Sequence, residues 1–513
     1  MKVVTSEEMR KLDARTISEA GVSGVELMKR AGEGASEIIA AWAERLHPSH
    51  IRRFVFLAGK GNNGGDAYVA AAHLKKICDT EIVIYAVCGV SELKGAAAYH
   101  ASLLPPEIRV EVKETFFPSD FGKGDVLIDA LLGTGSSGEL REPFLSWVKA
   151  ANESGMPVIA LDIPSGLDAS TGEVFSDAII SDITITIGLP KCGLALGCGP
   201  EYCGSLRVVD IGIPKSFIEE VPSDFSMIFE DDIRYILGRV SCQSHKNSRG
   251  RVLVIGGSSN YPGAPLLCAE AALRAGAGLV TLAIPAAASR VSIISRSIIV
   301  REIPDGGSGF FNFRSVHNLT ELINSHDSIV IGPGMGTETE VFEIVEMICS
   351  CGKPMVIDAD ALNVISLKPE ILRQNRKSVI TPHPGEMRRL LTGFKMEDLN
   401  DAGRISKSVE LAKRTGIVTV LKGNKTVIST PEGKVWVNSS GSPALATAGS
   451  GDVLSGITGT FLSQGFKAEE AAAAAVFIHG LCGEISPYGN RGTTADDLPS
   501  LLPEAMRRIS PFA

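Results

Sequence analysis

No two cysteines in this 513-residue chain are spaced C-x-x-C, and its ten cysteines are scattered. Cys192, Cys198 and Cys203 lie close together, but their spacing matches neither a zinc ribbon nor a thioredoxin-like motif. Zinc and disulfides are therefore not expected, and reduced thiols in a cytoplasmic enzyme are. No uninterrupted apolar run approaches the ~18 residues that a membrane span needs. Residues 1–8 lack the apolar segment of a signal peptide and turn acidic at Glu7 and Glu8. A basic excess is lacking too: 50 Lys and Arg face 59 Asp and Glu, a net charge of −9. That balance argues against nucleic acid or an anionic membrane as the main partner. It does not exclude small phosphates, because helix N-termini and backbone nests bind them locally. No long disordered linker is visible.

What remains is a globular composition, 44% hydrophobic and 21% charged, in a chain long enough for two or three domains. The Pro-flanked, polar stretch 214–224 is the natural boundary, giving domains at 1–222 and 223–513. In both halves apolar runs alternate with helical patterns, which predicts α/β domains with mostly parallel, three-layered sheets.

In the first half, Thr5, Ser6, Glu7 and Glu8 form a capping-box pattern ahead of Met9, Leu12 and Ile17. A second helix starts near Val25 and runs past Trp42. A buried strand at 54–58 feeds the glycine loop 59–66, and a helix is expected over 67–77. Strand, glycine turn and helix make a nucleotide-binding unit, although the spacing is not the G-x-G-x-x-G fingerprint. Further strands are expected at 81–87, 125–129, 157–162 and 206–212. Two of them end in Asp129 and Asp162, each followed by a glycine-containing loop, at the sheet edge where such folds bind ligands. Asn63, Asp129 and Ser165 together would suit a hard cation. The same carboxylates also fit helix caps.

The second half is organised around residues 438–456. Small residues fill most of it, and bulk returns only at Val453, Leu454, Ile457 and Phe461. Gly449, Ser450 and Gly451 therefore read as a loop becoming a helix N-terminus near Asp452, where unpaired amides bind an anion. Beside that anion a carboxylate can take a proton from an attacking hydroxyl. The alternative is an Asp N-cap on a buried helix. Strands are expected at 251–257, 279–284, 327–331, 354–357 and 378–381, with a helix from about 261 to 277. Their following loops hold Gly332 to Gly336, Asp358 and Asp360, and His383 between two prolines. His383 reads as a substrate contact, with a structural role as the alternative. Lys422 and Lys425 fit either phosphate neutralisation or a solvated hairpin turn.

The stretch from Ala448 to Asp452 resembles the anion-hole motif of ribokinase-like enzymes, most closely their ADP- or ATP-dependent NAD(P)H-hydrate dehydratase branch. Residues 62–66, 129–135 and 161–166 resemble the signature loops of NAD(P)H-hydrate epimerases. Together they look like the fused, bifunctional NAD(P)H-hydrate repair family, across nearly the whole chain. The resemblance implies a Rossmann-like domain followed by a ribokinase-like one. It implies that Asn63, Asp129 and Ser165 bind K+. It implies that Asn62, Asn63, Gly64, Gly65, Asp66, Gly133, Thr134, Gly135, Ser136, Ser137, Gly138, Glu139 and Asp162 contact the hydrated dinucleotide. Asp162 becomes the candidate acid/base at C6 of the hydrated ring. In the second domain it implies that Ala264, Gly334, His383 and Asp452 contact substrate. Lys422, Gly423, Asn424, Lys425, Thr426 and Gly451 would hold the nucleotide, ADP or ATP, with Mg2+ as helper and Asp452 as base. Lys191 also matches the family, and a surface or structural lysine is its default reading. Departures are Ala67 for glycine, Gly441 to Leu445 for Gly-Asn-Pro-Gly-Met, and Ala448 to Gly451 for Gly-Gly-Thr-Gly.

Two other functions fit the residues. The second half could be a small-molecule kinase for a sugar or vitamin precursor, and the first a non-catalytic dinucleotide-sensing or protein-binding module. The expected partners are small molecules. Enzymes of this class often assemble, so a homo-oligomer is expected, although no interface signature marks it.

Overall fold

Apolar runs alternating with helices condense into two separate sheets. The computed structural model describes residues 1–45, 51–223, 225–289 and 296–512. The chain divides into the units Met1–Ser223 and Asp224–Ala513.

The first unit holds seven parallel strands: β1 (Arg53–Ala58), β2 (Glu81–Ala86), β3 (Arg109–Val112), β4 (Asp125–Ala130), β5 (Val158–Leu161), β6 (Ile183–Ile187) and β7 (Ser205–Val209). Their order is β3-β2-β1-β4-β5-β6-β7. It reverses between β1 and β4, so the loops after these two strands open the crevice where doubly wound sheets bind ligands. Both faces are covered, as the period-two alternation shows. Phe54, Phe56 and Ala58 of β1 pack into one core, and Val55 and Leu57 into the other, around Trp147. Helices α1 (Ser6–Ser18), α2 (Gly24–Arg45) and α3 (Asn62–Ile77) belong to this unit. Helix α3 starts at Asn62, five residues ahead of the expected start at 67. The glycine-rich loop is therefore mostly the first helical turn, and only Gly59 to Gly61 make the turn itself.

The second unit holds ten strands: β8 (Phe225–Ile228), β9 (Arg251–Ile255), β10 (Leu279–Pro285), β11 (Ile298–Ile303), β12 (Ser328–Ile331), β13 (Met355–Ile357), β14 (Ser378–Ile380), β15 (Val418–Leu421), β16 (Val427–Ser429) and β17 (Val435–Asn438). Their order is β11-β10-β9-β12-β13-β14-β15-β16-β17-β8. Only β16 runs antiparallel to its neighbours. The order reverses between β9 and β12, again placing their loops at a switch point. Helices Ala264–Arg274, Ser450–Ser463, Ala468–Ile485 and Leu498–Ile509 close one face over Val252, Val254, Val330 and Val356.

Five strands escape the sequence reading, β3, β6, β8, β11 and β16. The alternation in β6 hides behind Thr184 and Thr186, which are nevertheless buried. β3 and β11 are edge strands that carry charge, as edges do. β8 pairs with β17, more than 200 residues away in sequence. The ten cysteines are free thiols. No helix among the described residues is long and apolar enough to cross a membrane.

Candidate active sites

In the first unit the loops after β1, β4 and β5 converge. Asp129, at the end of β4, is fully buried. Its Oδ1 accepts from Ser165 Oγ at 2.6 Å and from the Leu131 amide at 3.2 Å. Its Oδ2 accepts from the Ser165 amide at 2.8 Å. These partners come from two loops, so Asp129 ties strand ends together and does not cap a helix. Burial pushes its carboxyl up to about 6, against the pull of those hydrogen bonds. Asn63, in the first turn of α3, donates through Nδ2 to Leu132 O at 2.9 Å and Leu161 O at 3.1 Å. Its Oδ1 is buried with no hydrogen-bond partner. Asn63 Nδ2 and Ser165 Oγ both reach Leu132 O, and an orphaned oxygen on the same side chain, together with the Asp129 and Ser165 oxygens, is the donor chemistry of a hard cation.

Asp162 follows β5 with φ +64, a left-handed conformation rare outside glycine. Its Oδ1 pairs with Lys191 Nζ and accepts from the Ile187 amide at 3.3 Å. Its Oδ2 faces the other way, 3.6 Å from the point where a Cβ on Gly133 would stand. Asn63 Cβ is 3.2 Å from the same point, so Asn63, Gly133 and Asp162 meet. Of the two default readings of Lys191, surface or structural, burial removes the surface one. Its side chain is 1% exposed, and it also donates to Thr186 Oγ1 at 3.1 Å and Ile187 O at 2.7 Å. Asp66 is buried in α3, and burial raises its carboxyl well above the usual range, helped by Asp162 and Asp13. Asn62, Gly64 and Gly65 share that helical turn. Beyond Gly133 and Thr134 the loop runs outward. Ser136 turns back to Gly133 O, and Gly135, Ser137, Gly138 and Glu139 are exposed.

In the second unit the helix N-cap is Gly449, at φ +90, and helix Ser450–Ser463 starts three residues after Thr447. This corrects the N-cap alternative for Asp452, which lies inside the first turn. Burial raises the Asp452 carboxyl to about 8, with Asp358, Asp360 and Glu386 adding to the rise and Lys422 opposing it. Lys422 Nζ bonds Asp358 Oδ1 at 2.6 Å and stands 3.9 Å from Glu386 Oε2. A Cβ on Gly451 would be 3.2 Å from that ammonium, so the cation lies against the helix N-terminus. Asp358 is fully buried, and its Oδ2 accepts from Ser455 Oγ at 2.6 Å. Burial raises Glu386 to about 7. Burial works against the Lys422 charge, but Asp358 and Glu386 overcome it and raise the ammonium.

Ala264 and Gly334 adjoin, since a Cβ on Gly334 would lie 3.3 Å from Ala264 Cβ. Asp360 Oδ2 accepts from the Gly336 amide at 3.0 Å, locking that loop to β13. His383 caps helix Pro384–Gly393, its Nδ1 accepting from the Gly385 amide at 2.9 Å. Its Nε2 is 3.3 Å from Glu386 Oε1, so the ring has a structural task as well as a half-exposed edge. Lys425 is buried and donates to Ser439 O at 3.1 Å, which removes the solvated-turn reading. Thr426 Oγ1 bonds Gly423 O at 3.0 Å, closing the turn around Asn424. Arg404, unmarked in the sequence reading, clasps this loop from behind through the carbonyls of Leu421, Lys422 and Asn424. Asp358 was legible only as a strand-end carboxylate. Its pairing with Lys422 spans 64 residues and carries no local signal.

Comparison with known proteins follows this division. Residues 24–193 match the family described as YjeF-related protein N-terminus, and residues 252–504 match NAD(P)H-hydrate dehydratase. The bifunctional NAD(P)H-hydrate repair enzyme Nnr of Thermofilum pendens is 34% identical, over 99% of this chain and 97% of its own length. That of Archaeoglobus fulgidus is 35% identical over the full length of both. A solved ADP/ATP-dependent NAD(P)H-hydrate dehydratase from Bacillus subtilis, co-crystallised with ATP/Mg2+, is 27% identical. It covers 56% of this chain and 99% of its own, with a TM-score of 0.47. With relatives aligned end to end across both units, the chain belongs to the family of bifunctional NAD(P)H-hydrate repair enzymes.

Proposed function

We propose that the first unit interconverts the C6 epimers of hydrated NADH and NADPH, and that the second returns the S hydrate to the working cofactor. The observation that carries the second half is Asp452. It is a buried carboxyl with a proton affinity lifted to about 8, in the first turn of a glycine-led helix and beside Lys422. Asp452 takes the proton of the C6 hydroxyl. The oxygen attacks the terminal phosphorus of ADP or ATP, and the bond to the leaving nucleotide breaks. The amides at Gly449 to Gly451 and the Lys422 ammonium hold the charge on the transferring group. Next, the C6–O bond breaks with the push of the ring nitrogen, phosphate leaves, and a proton leaves C5.

Mg2+ would neutralise nucleotide phosphates in this unit. Among the described residues no three His, Cys, Asp or Glu side chains form a ready cage. That suits an ion that arrives with phosphates and water and needs one or two carboxylates. In the first unit Asn63, Asp129 and Ser165 would hold K+, which would order the loops around the dinucleotide. Asn63 Oδ1 supports that fit. Asp162 is the acid/base, its Oδ2 left toward Gly133 while Lys191 holds Oδ1.

The test is recovery of the dihydronicotinamide absorbance from mixed hydrate epimers, with Mg2+, K+ and either ADP or ATP. Recovery of both epimers supports both activities, and the faster nucleotide names the donor. A stable phosphorylated product with no recovered NADH would overturn the dehydratase reading in favour of a kinase.

A further inference from the structure

Helix α1 carries a carboxyl where its core-facing stripe calls for an apolar side chain. Met9, Leu12 and Thr16 are its buried residues, and Asp13 falls on the same stripe, four residues after Met9. The start of this helix is pinned to the segment bearing Lys191. Val4 bridges Lys191, the Val4 amide donates to Pro190 O at 3.0 Å, and the Cys192 amide donates to Val4 O at 2.8 Å. One turn before Asp13, Met9 packs on the same segment, its Cε 2.7 Å from where a Cβ on Gly188 would stand. Asp13 Oδ1 is buried and has no hydrogen-bond partner. A buried orphan oxygen is costly to keep without a task.

The charged groups facing Asp13 are Lys191 and Asp162, and Asp66 joins the cluster from α3. Burial pushes the Asp13 carboxyl up to about 6, while Lys191 pulls it down and Asp162 pushes it further up. Burial and the neighbouring carboxylates both oppose ionisation of Asp13 and Asp66.

We propose that Asp13 is a second proton-handling carboxyl of the epimerase site, working with Asp162 on the C6 hydroxyl of the hydrated dinucleotide. The proposal rests on the epimerase reading above. Asp13 gives its proton to the departing C6 oxygen, the C6–O bond breaks, and the ring-nitrogen lone pair forms a C=N bond. Water then adds to C6 on the other face and loses a proton to the Asp162 carboxylate. The two carboxyls exchange roles in the reverse direction, so one pair serves both epimers, and solvent resets them.

The test follows R and S hydrate interconversion by the full chain without nucleotide, from about pH 5 to about 9. Asp13→Asn is expected to slow interconversion by about 100-fold or more and to remove the pH limb near 6. Asp13→Glu restores part of the rate, and nucleotide-dependent dehydration of the S hydrate is unchanged in both. A carboxyl-carbon NMR titration of the unmutated protein should find Asp13 near 6, whatever the variants do. An Asn variant with the normal rate and pH profile overturns the proposal. So does a loss equal at every pH that Glu does not relieve, which marks a packing role, or an Asp13 that titrates as an ordinary carboxylate. If the unmutated chain does not interconvert the epimers at all, the epimerase reading itself falls.

Discussion

Asp452 and Lys422 form an opposed pair whose chemistry depends on burial. A carboxyl lifted to about 8 is a stronger base than a solvated aspartate, but it must first lose its own proton. Dehydration by the free enzyme is therefore expected to rise with pH and to level above about 8, as kcat/KM profiles would show. Asp452→Asn keeps the shape and removes the proposed base. It should cost about 100- to 10,000-fold in dehydration and leave epimerisation intact. Survival of both activities would assign the base elsewhere. In the first unit, Asn63→Leu removes the orphaned oxygen. If Asn63 holds K+ as proposed, epimerisation should then fall and show no response to K+, read as the rate in K+ against the rate in a bulky organic cation.

At the scale of elements, the second site is held by a helix that must begin abruptly. Gly449 reaches φ +90, and a Cβ there would come within 2.6 Å of Leu267 Cδ1. Gly449→Val is therefore expected to misplace the turn proposed to bind the anion and to abolish dehydration, with the folded epimerase unit as internal control. Further along the same helix, a Cβ on Gly456 would meet the Cys268 carbonyl at 2.1 Å. Gly456→Ala should force the two helices apart and cost about 1–3 kcal/mol, read as a lowered denaturation midpoint of the second unit. Arg404 acts at this scale as well. It holds three carbonyls of the proposed nucleotide loop, so Arg404→Met should raise KM for the nucleotide more than it lowers kcat.

At the scale of the molecule, each unit has its own sheet and its own core. Two unfolding transitions are expected in calorimetry, and ADP or ATP should raise only the one that belongs to the second unit. A single transition that shifts as a whole would show that the units unfold together.

Much of this was legible in sequence because it is local. Continuous apolar runs marked most strands, and closely spaced glycines marked the loops after β1, β4 and β12. The turn at Gly449 to Asp452 announced a helix N-terminus through the return of bulk at Val453. By itself the sequence determined the α/β class, the strand ends that carry Asp129 and Asp162, and the stretch that carries Asp452. Only the tertiary structure decided which charges face one another. Lys191 read as either a surface or a structural lysine until burial beside Asp162 decided between them, and Lys422 had no assigned partner until Asp358 came beside it. Asp13 showed no motif, and only the folded structure leaves its Oδ1 buried without a hydrogen-bond partner. The reason is physical. Helix and strand periodicity depends on neighbours a few residues away, whereas desolvation and charge pairing depend on distances in space that chain closure alone sets.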